Sequence, residues 1–284
     1  MSSESGAVES LEAIEDLIAS KQYGEALRLA NEEVKRHPGD HRLLNLAADI
    51  YLLLRKEDTA AHLLRHVANI HVSTGAPAKA VVALKKIQRI GRDDPTMYES
   101  IASRIEQERS DVGYSPPPLD MGPLTETVEI PVPLLSDMRV VEEKEVVDDA
   151  VPSPLFDDFS RVELLAFIKG LQLQVFDAGD IIVAEGDPGD SLFILTSGIV
   201  KAFVRDRDHR YRHVRTMHDG DFFGEISIFS GGRRSATITA ATRCELLELD
   251  RPTLDTITAA HPRVREIMRR FYDERVASDR VNRF

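Results

Sequence analysis

Cysteine, tryptophan and long apolar runs are nearly absent: the 284 residues contain one cysteine and no tryptophan. A single thiol cannot form an intrachain disulfide or supply the thiolates of a zinc cluster, and it fits a reducing compartment. The longest apolar runs, such as residues 52–54, fall far short of the roughly 18 residues that a membrane span needs. Residues 1–4 are acidic and lack the apolar core of a signal peptide. We therefore expect a cytoplasmic protein without membrane contact.

Positive charge is also in short supply. The chain has 36 Lys and Arg against 48 Asp and Glu, a net charge of -12. Nucleic acid repels such a chain unless basic residues are segregated on one face, so nucleic acid is not an expected partner. One local basic face is present near the C-terminus and is compatible with nucleic acid, with an acidic partner or with the chain's own acidic segment. It contains Arg263, Arg265, Arg269, Arg270, Arg275, Arg280 and Arg283.

Apolar residues recur at helical spacing through residues 1–109, which predicts a domain of about six short antiparallel helices. The stripes lie within residues 11–18, 26–34, 43–54, 60–72, 80–90 and 97–105. Segments 23–38 and 78–95 both contain small residues where helices would cross and end on proline, as tetratricopeptide repeats do. However, Pro38 and Pro95 are not separated by a multiple of the roughly 34-residue period. The region resembles such repeats, and an ordinary helical bundle is the alternative. Either commonly offers a groove, so we expect an unidentified protein partner at residues 6–109.

The helical pattern stops at residues 110–153, where prolines alternate with acidic stretches. This composition predicts a semi-extended linker between two domains. Residues 154–284 then show short alternating segments punctuated by glycine, which predicts an antiparallel β-roll or jelly roll. Flanking helices are expected near 163–168, 252–260 and from 262 towards the end. The predicted fold class is a multidomain α + β protein with a helical repeat followed by this β domain.

Two stretches of the β region carry a recognisable pattern. Residues 179–195 (GDIIVAEGDPGDSLFIL) with 198–202 precede residues 223–229 (FGEISIF), and 233–237 (RRSAT) follow. They resemble the opening strands and the phosphate-binding cassette of the cyclic nucleotide-binding domain family, which includes the catabolite activator protein, kinase regulatory subunits and gated channels. The resemblance covers roughly residues 154–272. It implies a receptor for a 3′,5′-cyclic nucleotide.

The residue types of the cassette suit a cyclic phosphate monoanion. A short helix near residues 224–230 would direct free N–H groups at the phosphate, and Gly224 would let the main chain approach. Arg234 can fork onto the exocyclic oxygens, and Glu225 can accept the ribose 2′-hydroxyl. Ser235 adds a hydroxyl, and Ala236 leaves room for the sugar-phosphate. The candidate ligand-binding residues are Phe223, Gly224, Glu225, Ile226, Ser227, Arg234, Ser235 and Ala236.

The base and its cover are less well determined by the sequence. In this family a hydroxyl at the position of Ser235 can favour guanine, but serine also occurs in bacterial cAMP binders, so cAMP is the expected ligand and cGMP the alternative. Phe271, Tyr272 and Arg275 on the last predicted helix are a candidate lid over the base. Packing of that helix on the barrel is the other interpretation.

Other features indicate little chemistry. His62 and His66 lie one helical turn apart, but no acidic or thiol ligand accompanies them, so we expect packing or surface roles and no metal. Cys244 is expected in the core. No nucleophile triad, Walker loop or paired carboxylates stand out, so we expect neither catalysis nor a cofactor.

The leading hypothesis is a cyclic nucleotide-controlled adaptor, in a bacterial protein, that passes ligand binding to its helical domain. One alternative is a scaffold whose β-roll no longer binds ligand. Another is a transcription regulator of the catabolite activator type, although no DNA-binding module is recognisable here. A kinase regulatory subunit is disfavoured because only one nucleotide domain is visible. A homodimer is compatible with the sequence.

Overall fold

The structure is a computed structural model that describes residues 2–37, 39–92, 95–108, 156, 158–205 and 210–281. The predicted linker at 110–153 lies outside these residues. The side chains of Phe271 and Arg275, two of the three candidate lid residues, also lie outside them.

Six helices make up the described part of the N-terminal half, as the apolar stripes predict. Each buries its stripe against the next helix; Ala26, Leu27 and Ala30 do so on the second helix. Asp40 begins the third helix, because its carboxylate accepts a hydrogen bond from the main-chain N–H of Arg42 at 2.9 Å. The helices are α1 (Ser2–Ala19), α2 (Tyr23–Arg36), α3 (His41–Leu53), α4 (Glu57–Ser73), α5 (Pro77–Arg89) and α6 (Pro95–Glu108). The tetratricopeptide-like character stays a prediction.

Two four-stranded antiparallel sheets form the described part of the second half, with strand orders β1-β8-β3-β6 and β2-β7-β4-β5. Their facing side chains enclose a small core that includes Phe193, Leu195, Val200 and Ile238. The predicted antiparallel β domain is therefore confirmed. The strands are β1 (Gln172–Phe176), β2 (Ile181–Val183), β3 (Ser191–Ser197), β4 (Val200–Arg205), β5 (Tyr211–Met217), β6 (Phe222–Phe223), β7 (Thr237–Ala240) and β8 (Cys244–Asp250).

Within residues 158–205 and 210–281 the structure describes four helices beside the sheets, close to the positions that the sequence predicts. They are α7 (Arg161–Gly170), α8 (Glu225–Ser230), α9 (Arg251–Ala260) and α10 (Pro262–Val281). Helix α10 contacts α8, which places the last helix against the predicted cassette. No helix in the described ranges has the length and apolarity that crossing a membrane would require.

The helical half and the β domain share one apolar core. It runs from α3 and α4 through α5 to the outward side chains of β3 and β8, and on to α7, α9 and α10. Helix α5 is at the centre: it contacts β1, β3 and β8 as well as α4 and α6. The two predicted domains therefore pack against each other in this structure.

Candidate functional site

The candidate site begins at a left-handed glycine between β6 and α8. Gly224 has φ 91° and ψ -5°, a conformation that costs a residue with a Cβ free energy. A Cβ here would also lie 2.6 Å from the Ser191 carbonyl oxygen and 2.7 Å from Nη1 of Arg234. Both the backbone conformation and the close approach therefore require glycine.

Arg234 is the buried cation of the site, with 6% of its surface exposed. Its Nη1 donates to the carbonyl oxygen of Ser191 at 2.7 Å, and its Nη2 donates to Oγ of Ser191 at 2.8 Å. The guanidinium carbon lies 5.7 Å from the centroid of the Phe193 ring. The two bonds use two of the five guanidinium N–H donors, which leaves donors for an anion.

The charge of Arg234 is not matched by an ion pair. Burial lowers the pKa of its guanidinium, while the more distant carboxylates of Asp190, Glu248, Asp187 and Glu225 raise it. An arginine stays protonated in proteins. Among the described residues no carboxylate forms an ion pair with Arg234, whose direct partners are neutral oxygens. A buried charge in this state favours binding of an anion.

The remaining predicted residues surround Arg234 unevenly. Glu225 is 3% exposed in the first turn of α8 and contributes to the field at Arg234. Ser227 is also buried, and the Phe223 ring stacks on Phe193 with centroids 5.1 Å apart. The other predicted positions are half-buried or exposed. These are Ile226 and Ala236, which are half-buried, and Ser235, which is exposed.

The glycine-rich turn before β3 holds the main chain of the site. Gly186 donates its N–H to the carbonyl of Arg234 at 2.9 Å, and the N–H of Arg234 donates to the carbonyl of Asp187 at 2.8 Å. The side chain of Arg233 donates to the carbonyl of Gly186 at 2.6 Å. The turn and the arginine pair, far apart in sequence, therefore form one structural unit.

The candidate lid is described only at Tyr272. Its ring lies 6.0 Å from that of Phe229, at an interplanar angle of 46°. This contact attaches α10 to α8 and is the packing role that was the alternative. A lid role for Phe271, Tyr272 and Arg275 stays a prediction.

Ser191 and Phe193 are the site residues that the sequence interpretation did not single out. Both lie in the recognised stretch 179–195, but their contact with Arg234 joins residues more than 40 positions apart. The sequence signal that could have identified them is the alternation of side chains along a strand, which places residues 191, 193 and 195 on the same face of β3.

Two features that were set aside, His66 and Cys244, lie away from the surface to different degrees. His66 is half-buried, and burial lowers its pKa to about 4; no cluster of three metal-ligating side chains occurs among the described residues. Cys244 is fully buried, as predicted, and burial raises the pKa of its thiol.

The basic face of α10 is partly neutralised within the chain. Arg263 pairs with Glu163 at 3.1 Å, Arg265 with Asp255 at 3.3 Å, and Arg270 with Asp158. These pairs leave less positive charge for nucleic acid than the sequence alone indicates.

Part of this chain is similar to known proteins. The family described as cyclic nucleotide-binding domain matches residues 173–261. A CRP-like cAMP-activated global transcriptional regulator of Mycobacterium tuberculosis is 34% identical over 122 residues, which cover 43% of this chain and 54% of that protein. A cyclic nucleotide-gated potassium channel of Rhizobium etli is 31% identical over 122 residues, 43% of this chain and 33% of the channel.

Among solved structures, the Thermus thermophilus catabolite activator protein is similar, with a TM-score of 0.43 and 28% identity over 46% of this chain and 61% of that one. The chain thus spans about half the length of the first curated relatives that it matches. Residues 173–261 of this chain form a cyclic nucleotide-binding domain.

Proposed function

We propose that this chain binds a 3′,5′-cyclic nucleotide, cAMP in preference to cGMP, at residues 223–227 and 234–236 and uses that binding to regulate another process. The observation that carries the proposal is Arg234, a buried guanidinium whose hydrogen-bond partners are neutral and which has no ion pair with any residue that the structure describes. It lies beside Gly224 and the start of α8. The domain match at residues 173–261 and the cAMP-activated relative support the same ligand class.

The chemistry of the site suits a cyclic phosphate. Arg234 has donors left for the exocyclic oxygens, and the first N–H groups of α8 have no acceptor within their own helix. Gly224 keeps side-chain atoms out of the space between them. Glu225, next along the chain, is the acceptor for the ribose 2′-hydroxyl. The reaction is reversible binding, so no enzyme activity, cofactor or metal is part of the proposal.

The regulatory output is assigned to the helical half. Its six packed helices are compatible with a tetratricopeptide-like domain that binds a protein partner, with the chain acting as a cytoplasmic adaptor or a homodimer. A coupling of about 1–3 kcal/mol would change partner affinity by roughly 5- to 150-fold.

A transcription regulator is the second candidate, because one relative has that function. Its positive surface would have to come from α10, where three arginines are already paired with carboxylates. Retention of DNA in a low-salt gel-shift would favour the transcription regulator. The absence of retention would favour the adaptor hypothesis.

Titration calorimetry with cAMP and cGMP tests ligand binding directly. We expect heat of binding with cAMP, and we expect Arg234→Ala to weaken binding at least about tenfold, since a charge-assisted bidentate contact is lost. The matched control is Arg243→Ala. It removes an exposed arginine that directly precedes the first residue of β8. No heat with either nucleotide would leave a scaffold that does not bind ligand, and unchanged affinity in Arg234→Ala would place the site elsewhere.

A further inference from the structure

Helix α5 connects the helical half to the β domain and is buried on nearly every side. Its buried residues include not only Ala80, Val81 and Leu84 but also both lysines, Lys85 and Lys86. A helix at the surface of a free domain would leave one face to water. Here the remaining face lies against the sheet β1-β8-β3.

Lys86 makes the central polar contact between the two halves. Its Nζ lies 2.9 Å from Oε1 of Glu245, on β8, and 3.1 Å from Oδ1 of Asp49, on α3. Burial alone would lower the pKa of Lys86, but the two carboxylates raise it. The lysine is therefore held charged between an acid of each half.

Further polar contacts surround this ion triad. Lys79 pairs with Asp219, in the turn after β5, at 3.0 Å. Lys85 donates to the main-chain carbonyl of Lys169 at 3.0 Å, and Arg89 donates to that of Leu173. Helix α5 thus forms hydrogen bonds or ion pairs with α7, β1, β8 and the β5–β6 turn. These contacts fix its position on the sheet.

Strand β3 connects this interface to Arg234 because its side chains alternate. Phe193 points into the core between the sheets, next to the Arg234 guanidinium. Leu192 and Ile194 point the other way, into the core that contains α5. Ser191, at the start of the strand, accepts both hydrogen bonds from Arg234.

We propose that docking of α5 on the sheet preorganises the anion site, so that the helical half raises the affinity for cyclic nucleotide. The inference rests on the proposed function. Packing of α5 against Leu192 and Ile194 fixes β3, and Ser191 then fixes the guanidinium in place. A site that is already ordered loses less conformational entropy on binding. By linkage, bound nucleotide stabilises the docked helix by the same factor.

The test removes the charge of the interface without touching the site. Lys86→Met and, separately, Glu245→Gln are titrated with cAMP by calorimetry, and Arg28→Ala is the control. Arg28 forms an exposed ion pair with Glu32 within α2. We expect about a 5-fold or greater loss of cAMP affinity in both interface variants and wild-type affinity in the control.

Hydrogen exchange provides the reciprocal measurement on the wild-type chain. We expect saturating cAMP to slow amide exchange in α5 as well as in α8. If Lys86→Met fails to fold, Lys79→Ala tests the same interface through its more exposed ion pair with Asp219. Unchanged or tighter cAMP binding in variants whose α5 exchanges faster would overturn the coupling. If the wild-type chain binds neither nucleotide, the proposed function itself fails.

Discussion

At the scale of single residues, two buried cations of this chain differ in the partners that surround their charge. Lys86 lies within 3.1 Å of a carboxylate on each side, so its charge is balanced inside the protein. Arg234 is equally buried but has the carbonyl and hydroxyl of Ser191 as partners. Leaving a buried charge without a counterion costs several kcal/mol, so the difference between the two is informative. The charge of Lys86 is balanced by carboxylates, whereas the hydrogen-bond partners of Arg234 are neutral oxygens.

Gly224→Ala should reduce both stability and nucleotide binding. The new Cβ would meet the Ser191 carbonyl at 2.6 Å in a left-handed backbone conformation. We expect a loss of about 2–4 kcal/mol in the free energy of unfolding, from the backbone conformation and the clash together. Denaturant unfolding followed by circular dichroism measures the stability, and calorimetry with cAMP measures the binding.

Gly231→Ala is the matched control for this substitution. Gly231 ends α8 with φ 69°, also left-handed, but no atom lies within 4 Å of the added Cβ. We expect a loss of about 1–2 kcal/mol and retained cAMP binding. If the two variants lost the same free energy of unfolding, the clash with Ser191 would have no effect on stability.

In the cassette, the sequence predicts residue types that have a local reason. Gly224 was expected to let the main chain approach, and in the structure a Cβ there would lie 2.6 Å from the Ser191 carbonyl oxygen. Ser191 was not expected as the partner of Arg234, because the sequence around a serine at the start of a strand does not indicate which distant residue it will contact. Its role depends on the pairing of β3 with β6 and β8, which only the fold determines.

At the scale of secondary structure elements, α4 has a pH-sensitive position. His71 is 5% exposed and its ring lies 4.7 Å from that of His41. Burial, together with the positive charges of His41, Lys79 and Lys86, lowers the pKa of His71 to about 3. The unfolded chain protonates this group near 6.5, so the native state binds the proton less readily.

Stability should therefore fall as the pH falls below about 6.5. The contribution of His71 is fully present above that pH and is lost progressively towards pH 3, by up to about 1.4 kcal/mol per pH unit. His71→Phe keeps an aromatic ring beside His41 and removes the titration. We expect a shallower decline of the unfolding free energy between pH 6.5 and 4 in this variant, measured by urea unfolding. A decline as steep as that of the wild type would contradict the assignment.

The elements themselves were largely predictable, with one informative exception. Apolar stripes located the six N-terminal helices, and the short cassette helix expected near 224–230 is α8. The apolar stripe within residues 80–90 predicted helix α5, but it did not predict that Lys85 and Lys86, which lie within it, would be buried. Both lysines are buried by contacts with the β domain and α3. The spacing of apolar residues predicts a helix, but it does not indicate which other elements will pack against the polar side of that helix.

At the scale of the whole molecule, composition divides the chain into two domains, whereas packing joins them. The acidic, proline-rich residues 110–153 predict a separation that would let each half act alone. Yet Leu64 and Val67 of the helical half belong to the same core as Leu247 and Leu249 of β8. A shared apolar core of this kind makes the two halves depend on each other for stability, because separating them would expose both sides to water.

Cooperative unfolding of the two halves is the expected consequence. Hydrogen exchange at increasing urea should show α4, α5, β3 and β8 losing protection at the same concentration, because opening any of them breaks the common core. Helices α1 and α2 belong to a separate cluster with α3 and should open at lower urea. In Lys86→Met the protection of α4 should separate from that of β8, while Arg28→Ala should unfold like the wild type. Two independent transitions in the wild-type chain would show that α5 does not couple the stability of the two halves.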